Sequence, residues 1–287
     1  MQDRKVAVVT GATSGIGFAA AHGLASQGFH VIATGRNPER ITEKGAELIA
    51  DIPDALVDWV TADFSAMREV ARAASNITAI SGQVDVLVNN AGLLIDKRIV
   101  TEDGLETMFA VNHLAGFLLT TRLLPALRRS ARGHIIGVSS IGHTMISDIE
   151  WSDLQMERNF SHLTAYFQSK LGNVLFTREL ARRLSNENII ASAVHPGMVA
   201  SRFPLTGGEH TIATYKAAEE SGEALTSEQG ADTIVWLANN PDAALPSGGY
   251  FTERKRVLPS EAAQNPLSAE RFWEMSEQLL NNISEAA

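Results

Sequence analysis

The 287-residue sequence contains no cysteine. This absence excludes disulfide bonds, a thiolate nucleophile and cysteine-ligated metal, although it does not identify a cellular compartment. The eight histidines show no metal-ligand spacing such as H-E-x-x-H, so we expect no metal site. There is no run of about 18 apolar residues, and Met1 to Lys5 lacks the features of a signal peptide. We therefore expect a cytoplasmic protein with no membrane anchor.

The sequence also lacks an excess of positive charge. It has 24 Lys and Arg against 33 Asp and Glu, which gives a formal net charge of −9. The basic residues are scattered singly or in short groups, so the concentrated positive surface that attracts nucleic acid is missing, and we expect no nucleic-acid partner. With 45% hydrophobic and 20% charged residues, the chain has enough apolar surface for a large core.

Short apolar runs alternate with longer amphipathic stretches along the chain. The predicted strands are Lys5 to Thr10, His30 to Thr34, Val57 to Thr61, Val84 to Val88, His134 to Ser139, Ile189 to Val194 and Gly249 to Phe251. Predicted helices span Gly15 to Gln27, Leu163 to Leu184 and Ser227 to Leu237, and others begin near Pro38, Ala66 and Thr101. This alternation is typical of repeated βαβ units. It predicts an α/β fold with a Rossmann-type, doubly wound sheet of about seven parallel strands and helices on both faces.

No linker, repeat or low-complexity tract divides the chain, so we predict one domain over residues 1–287. The segment 203–223 is rich in Gly, Thr, Ala and Glu and breaks the alternation. We interpret this segment as a small substrate lid.

A glycine-rich turn follows the first predicted strand and precedes a predicted helix. It reads Thr10-Gly11-Ala12-Thr13-Ser14-Gly15-Ile16-Gly17. Glycines at these points let the backbone turn sharply and approach a pyrophosphate, whose negative charge then lies at the positive end of the helix. The turn therefore predicts a dinucleotide site. The alternative is a tight turn whose glycines serve only helix-to-sheet packing.

The end of the second predicted strand bears on the choice of dinucleotide. An acidic residue there would select NAD, whereas a basic residue would accept the 2′-phosphate of NADP. The sequence reads Thr34-Gly35-Arg36-Asn37, and Arg36 offers a planar guanidinium to phosphate. This predicts NADP(H) rather than NAD(H). The alternative is that Arg36 is an ordinary solvated residue at a helix start.

Tyr166 and Lys170 lie four residues apart in a predicted helix, so their side chains share one face. A phenol has a pKa of about 10 in water, and a nearby ammonium favours its deprotonated form. Tyr166 is therefore a candidate to exchange a proton with a substrate oxygen while a hydride moves at the adjacent carbon. A hydroxyl from Ser139 or Ser140, at the end of a predicted strand, would hold that oxygen. The alternative is a surface pair without chemistry.

With these motifs, the sequence resembles the classical short-chain dehydrogenase/reductase family over almost its whole length. A narrower resemblance to the retinol-dehydrogenase-like branch is carried by Ala165-Tyr166-Phe167-Gln168-Ser169-Lys170-Leu171 and Ser247-Gly248-Gly249-Tyr250-Phe251. The resemblance implies four catalytic residues: Asn112, which would position a water, Ser140, Tyr166 and Lys170. Ser139 remains the alternative serine. The implied cofactor-binding positions are Gly11, Thr13, Ser14, Gly15, Ile16, Gly17, Arg36, Asp63, Phe64, Asn90, Ala91, Gly92, Tyr166, Lys170, Pro196, Gly197, Val199 and Ser201.

The resemblance implies an NADP(H)-dependent carbonyl reductase or alcohol dehydrogenase that acts on the CH–OH or C=O group of a small apolar substrate. Two alternatives remain, namely reduction of an activated C=C or imine bond, and a non-catalytic NADP(H) sensor. A homodimer or homotetramer is plausible for this family, and a monomer is equally arguable for this branch.

An unusually long interval separates Ser140 from Tyr166 (166 − 140 = 26). We expect the resulting insert near 141–164 to fold over the pocket with His143, Met145, Ile149 and Trp151. For His113, His162 and His195 we expect packing or surface hydrogen bonding, because Tyr166 already serves as the acid or base.

Overall fold

A computed structural model describes residues 4–200, 207–240 and 246–286 of the chain. The strands are β1 Val6–Val9, β2 His30–Gly35, β3 Leu56–Thr61, β4 Val86–Asn89, β5 Gly133–Val138, β6 Ile189–Val194, β7 Gly249–Thr252 and β8 Lys255–Val257. The helices are α1 Gly15–Ser26, α2 Pro38–Asp51, α3 Met67–Ile80, α4 Thr107–Phe109, α5 Ala115–Leu127, α6 His162–Arg183, α7 Gly208–Ser221, α8 Ser227–Asn239, α9 Glu261–Gln264 and α10 Pro266–Ala286. One turn of π-helix, Ala110–Leu114, joins α4 to α5, and a 3₁₀ turn spans Ile141–Thr144.

The strands form one sheet in the order β3-β2-β1-β4-β5-β6-β7-β8. Strands β1 to β7 are parallel, which confirms the predicted doubly wound α/β fold. The chain runs outward from β1 in both directions, so a crevice opens at the carboxyl ends of β1 and β4. Ligands bind at this position in open α/β sheets.

The eighth strand, β8, was not predicted and pairs antiparallel with β7. The connecting residues Glu253 and Arg254 have φ angles of 49° and 58°, the left-handed backbone that a two-residue hairpin requires. Contacts to α8 hold this turn, since the Arg254 amide donates to the Thr233 hydroxyl and its guanidinium pairs with Asp232. Glycine or asparagine is usual in such a turn, so the sequence does not signal it.

Helices cover both faces of the sheet. Because alternate residues of each strand point to opposite faces, each strand contributes side chains to two separate cores. Val8, Ile32 and Leu87 pack with α3, α5, α6 and α10 in the larger core. Their neighbours Val9 and Val31 pack with α1 and α8 on the other face. In the part of the chain that the structure describes, no helix is both long and apolar enough to cross a membrane.

The helix predicted to begin near Thr101 begins instead at Thr107, so that boundary was wrong. Gly104 has a φ of +77°, which interrupts a helix at this point. Glu106 then caps the new helix, and its carboxylate accepts hydrogen bonds from the Met108 and Phe109 amides at 2.9 and 2.7 Å. Burial raises the pKa of Glu106, although these two hydrogen bonds oppose the rise.

Helix α10 covers the outer side of α6. The Phe272 ring, which is fully buried, lies directly over Gly172, and a Cβ at this glycine would overlap the ring. Nearby, Trp273 stacks on Phe176 with 5.6 Å between ring centroids, and the Arg183 guanidinium lies 4.4 Å from the Trp273 ring centroid. Helix α10 was not predicted from the sequence, and its packing on α6 is seen only in the structure.

We expect Gly172→Ala to lower the free energy of unfolding by about 1 to 3 kcal/mol, because the new methyl group overfills a packed core. Gly116→Ala is the matched control, since a Cβ at this helical glycine would meet Asn89 at an ordinary 3.4 Å. The control should be neutral or slightly stabilising, as alanine favours helix by up to about 1 kcal/mol. Chemical denaturation measures both variants, and equal stability would contradict the assigned packing.

Candidate functional site

A cleft of about 570 Å³ opens at the carboxyl edge of the sheet. Every described position predicted to bind the cofactor lines it: Gly11, Thr13, Ser14, Gly15, Ile16, Gly17, Arg36, Asp63, Phe64, Asn90, Ala91, Gly92, Tyr166, Lys170, Pro196, Gly197 and Val199. The predicted catalytic Ser140 also lines the cleft, whereas Asn112 lines a smaller adjoining pocket. Ser201 lies outside the described residues.

The glycine-rich turn forms one end of the cleft. Gly11 and Gly15 have φ angles of +66° and +53°, and a Cβ at Gly17 would overlap the Gly11 carbonyl oxygen. The Asn90 side chain donates to the Thr10 carbonyl at 2.8 Å and thereby ties the turn to the end of β4. At the start of α1, Ser14 makes no capping hydrogen bond. The first amides of α1 are consequently available to an anionic group.

Two arginines border the neighbouring end of the cleft. The Arg36 side chain is 71% exposed, and its guanidinium lies 3.9 Å from the Asp63 carboxylate. Arg40 also lines the cleft but was missed from the sequence. It belongs to the first turn of α2, whose cap Asn37 accepts a hydrogen bond from the Arg40 amide at 2.8 Å. A basic residue three positions after a capping asparagine was the available signal.

Tyr166 and Lys170 project from α6 into the opposite end of the cleft. The Lys170 Nζ lies 5.6 Å from the Tyr166 ring centroid and donates to the Val138 carbonyl at 3.1 Å. Burial lowers the pKa of Lys170 to about 8. Burial also raises the pKa of Tyr166, which the hydrogen bond with the Ser140 side chain partly opposes. In this structure burial therefore outweighs the lowering of the Tyr166 pKa that we expected from Lys170.

The two candidate serines have different partners. The Ser139 hydroxyl donates to the Lys170 carbonyl at 2.8 Å and so fastens α6 to the end of β5. The Ser140 hydroxyl accepts a hydrogen bond from the Gly142 amide at 3.0 Å and contacts the Tyr166 side chain. Of this pair, Ser140 is the serine whose hydroxyl meets Tyr166.

Asn112 lies in the π-helical turn and is buried. Its side chain accepts from the Leu93 amide at 2.7 Å and donates to the Leu93 carbonyl and the Ser169 hydroxyl, both at 3.0 Å. The main-chain carbonyl oxygen of Asn112 accepts a hydrogen bond from the Asn173 side chain at 3.0 Å. These contacts join the segment after β4 to α6, while the expected role of Asn112 in positioning a water stays a prediction.

The insert between Ser140 and Tyr166 approaches the site through a residue that the sequence did not single out. Met156 is buried beside Tyr166 in a small apolar cluster with Leu94, Met108 and Ala165. The four residues named from the sequence are not among those that line the cleft. His143 is buried beside Tyr250, Ile149 joins the larger core, Trp151 packs on Arg271, and Met145 is 67% exposed.

Tyr215 was also missed and comes from α7, within the predicted lid segment. It lines the cleft, and its proximity contributes to the raised pKa of Tyr166. The part of this lid segment before residue 207 lies outside the described residues. A single tyrosine in a stretch without a clear apolar face gives no signal that it reaches a site far along the chain.

The histidines near the site make structural contacts. His113 is buried among aromatic rings, its Nε2 lies 2.8 Å from the Ser276 hydroxyl, and burial lowers its pKa to about 3. The His195 Nδ1 accepts a hydrogen bond from the Ile141 amide at 3.2 Å. Burial lowers the pKa of His195 to about 4, so it is neutral at pH 7.

The buried Lys170 predicts how stability depends on pH. Its pKa is about 8 in the folded chain and near 10.5 when unfolded. Between these values the unfolded chain binds the extra proton, so the contribution of Lys170 to stability rises with pH. From about pH 7 to about pH 9.5, the wild type should gain roughly 2 kcal/mol relative to Lys170→Met. Denaturation of both proteins at each pH measures this difference, and a constant difference would contradict the burial of a charged lysine.

Comparisons with known proteins identify the family. Residues 5–206 match the model described as short chain dehydrogenase. Retinol dehydrogenase 12 of Mus musculus is 38% identical over 276 residues, which cover 96% of this chain and 86% of that protein. A solved structure of an uncharacterized protein from Mycobacterium paratuberculosis has a TM-score of 0.75 and 31% identity, covering 96% of this chain and 93% of that one. For the Pseudomonas aeruginosa RhlG/NADP active-site complex the TM-score is 0.69 and the identity 25%, with coverages of 86% and 93%. The chain therefore belongs to the short-chain dehydrogenase/reductase family and is similar to its retinol-dehydrogenase-like branch.

Proposed function

We propose that the chain is an NADP(H)-dependent oxidoreductase that transfers a hydride between the nicotinamide and a carbonyl or alcohol carbon. The observation that carries this proposal is the convergence of Ser140, Tyr166 and Lys170 on the cleft that also contains the glycine-rich turn. Family membership and the likeness to the RhlG/NADP complex support it.

The residues of the cleft fit a dinucleotide phosphate. The glycine-rich turn lines the cleft at the start of α1, where the first helical amides would bind a pyrophosphate. At the adjacent end, Arg36 and Arg40 would hold the 2′-phosphate that distinguishes NADP from NAD. Lys170 and Tyr166 would border the nicotinamide, which supplies or accepts the hydride when bound.

The side chains divide the remaining work at the substrate oxygen. The Ser140 hydroxyl, beside Tyr166, would hold that oxygen and orient the carbonyl. Tyr166 would then donate a proton to it as negative charge develops. Because burial keeps Tyr166 protonated, its phenol is ready to donate, which suits the reduction of a carbonyl. Lys170 carries a positive charge below about pH 8 and would favour the phenolate left behind.

An apolar substrate fits the surroundings of Tyr166. Tyr166 packs in a buried apolar cluster with Leu94, Met108 and Met156, and the cleft itself is lined in part by the apolar side chains of Leu93 and Val111. The similarity to retinol dehydrogenase 12 supports a small apolar aldehyde, ketone or alcohol as substrate.

A screen of aldehydes, ketones and enones, with NADPH absorbance and product identification, separates carbonyl reduction from C=C reduction. NADPH binding without any turnover would favour the sensor alternative. The cytoplasmic location and the homodimer or homotetramer stay predictions.

We expect Tyr166→Phe to lower kcat by about 10² to 10⁴-fold, since the variant keeps the ring and loses the proton donor. NADPH affinity, measured by fluorescence titration of the same protein, should stay within about twofold because the cofactor phosphates would bind at the other end of the cleft. Near-normal turnover would show that another group transfers the proton.

We expect Arg36→Ala to weaken NADPH binding by about tenfold or more and to leave NADH binding almost unchanged. A hydrogen bond to a charged group contributes about 1.5 to 3 kcal/mol, and the exposure of Arg36 favours the lower value. Arg72→Ala is the matched control, because Arg72 is an exposed arginine of α3 that pairs with Glu69. Equal losses for both cofactors would remove Arg36 from the 2′-phosphate site.

A further inference from the structure

His143 makes a buried link between the predicted catalytic serine and the C-terminal part of the chain. Its Nδ1 lies 2.7 Å from the Ser140 carbonyl oxygen, and its Nε2 lies 3.0 Å from the Ser260 amide nitrogen. Ser260 caps α9, which is 117 residues away in sequence. The ring packs against Tyr250 of β7 at 4.8 Å between centroids, and the Tyr250 hydroxyl lies 3.5 Å from Nδ1. This histidine is 1% exposed.

The two backbone partners fix the protonation state of the ring. An amide nitrogen can only donate, so Nε2 of His143 must accept from Ser260. The proton is then on Nδ1, which donates to the Ser140 carbonyl, an oxygen that can only accept. Burial lowers the pKa of His143, in agreement with a neutral ring. Nδ1–H therefore donates to the Ser140 carbonyl, its nearest partner, and Nε2 accepts from the Ser260 amide.

The link fixes the residue whose hydroxyl meets Tyr166. Ser140 is extended, with φ of −157° and ψ of 158°, and lies between the end of β5 and the 3₁₀ turn. Its carbonyl accepts from the His143 ring Nδ1 at 2.7 Å and from the His143 backbone amide at 3.2 Å, while its hydroxyl accepts from the Gly142 amide and contacts Tyr166. A rotation of the peptide that carries this carbonyl would move the 3₁₀ turn and the hydroxyl that it holds.

We propose that His143 is a positioning residue, whose Nδ1–H holds the Ser140 carbonyl and so keeps the Ser140 hydroxyl beside Tyr166, while Nε2 anchors the ring to Ser260. This inference rests on the proposed function, because it takes the Ser140 hydroxyl to orient the substrate oxygen. His143 itself touches neither the substrate nor the cofactor.

Two substitutions separate the tasks of the two ring nitrogens. His143→Asn keeps an N–H donor near the position of Nδ1 and loses the acceptor for Ser260. His143→Gln keeps an acceptor near the position of Nε2 and loses the donor for Ser140. Each variant gives up one hydrogen bond to the backbone, so their melting temperatures should fall to a similar extent. NADPH binding verifies that each protein is folded.

We expect His143→Gln to lower kcat by about 10 to 100-fold, the effect of a misplaced group near the reacting atoms, and His143→Asn to stay within about threefold of the wild type. Both should retain the wild-type affinity for NADPH. Met145→Ala is the control in the same turn, because this exposed side chain should leave kcat unchanged. Equal losses of kcat in the Asn and Gln variants would overturn the proposal and leave a purely structural role.

A double-mutant cycle with Ser140→Ala tests the route of the effect. If His143 acts through Ser140, the Gln substitution should cause no further loss once the hydroxyl is gone. Additive losses would overturn the inference while leaving the proposed function intact. Full activity of Ser140→Ala alone would instead refute the role of Ser140 in the proposed function, and the inference would fall with it.

Discussion

The carbonyl oxygen of Val138, at the end of β5, is the point on which the site depends. It accepts hydrogen bonds from Lys170 Nζ at 3.1 Å and from Asn173 Nδ2 at 3.2 Å. A buried carbonyl needs a partner, and both partners come from α6. Ser139 adds a third bond in the other direction, to the Lys170 carbonyl. Together these hydrogen bonds fix the position of α6 relative to the carboxyl end of β5, and therefore the position of Tyr166.

The same junction holds two ionisable groups in a buried position, away from the water that would solvate their charged forms. Lys170 and Tyr166 are both buried. Burial lowers the pKa of Lys170 and raises the pKa of Tyr166, and both shifts favour the neutral form. Such groups destabilise a fold and are typical of sites where protons move. The surrounding packing offsets this cost, since α6 is covered by α10 on one side and by the apolar cluster of Met108 and Met156 near its start.

Local patterns carried most of what the sequence could predict. The spacing of Gly11, Gly15 and Gly17, and the separation of Tyr166 from Lys170 by one helical turn, are properties of neighbouring residues, so their geometry follows from the chain alone. The parallel sheet followed from its apolar runs in the same way.

Contacts between distant segments were beyond this reasoning. The approach of Tyr215 to Tyr166 depends on how α7 packs, and the link from His143 to Ser260 spans much of the chain. The position of the insert could not be predicted for the same reason. Ile149 joins the core that includes α10, and Trp151 contacts Phe272 of α10, a helix that was not predicted from the sequence. The sequence pattern around a residue does not indicate which distant part of the fold its side chain will contact.

The hairpin of β7 and β8 has a consequence for how copies of this chain can meet. Strand β8 is only three residues long, and both Lys255 and Arg256 are exposed on it. A short strand with two positive charges is a poor template for a strand from another molecule, because pairing would bring like charges together and strip them of water. At this end, the sheet is therefore protected against extension by a strand from a neighbouring molecule.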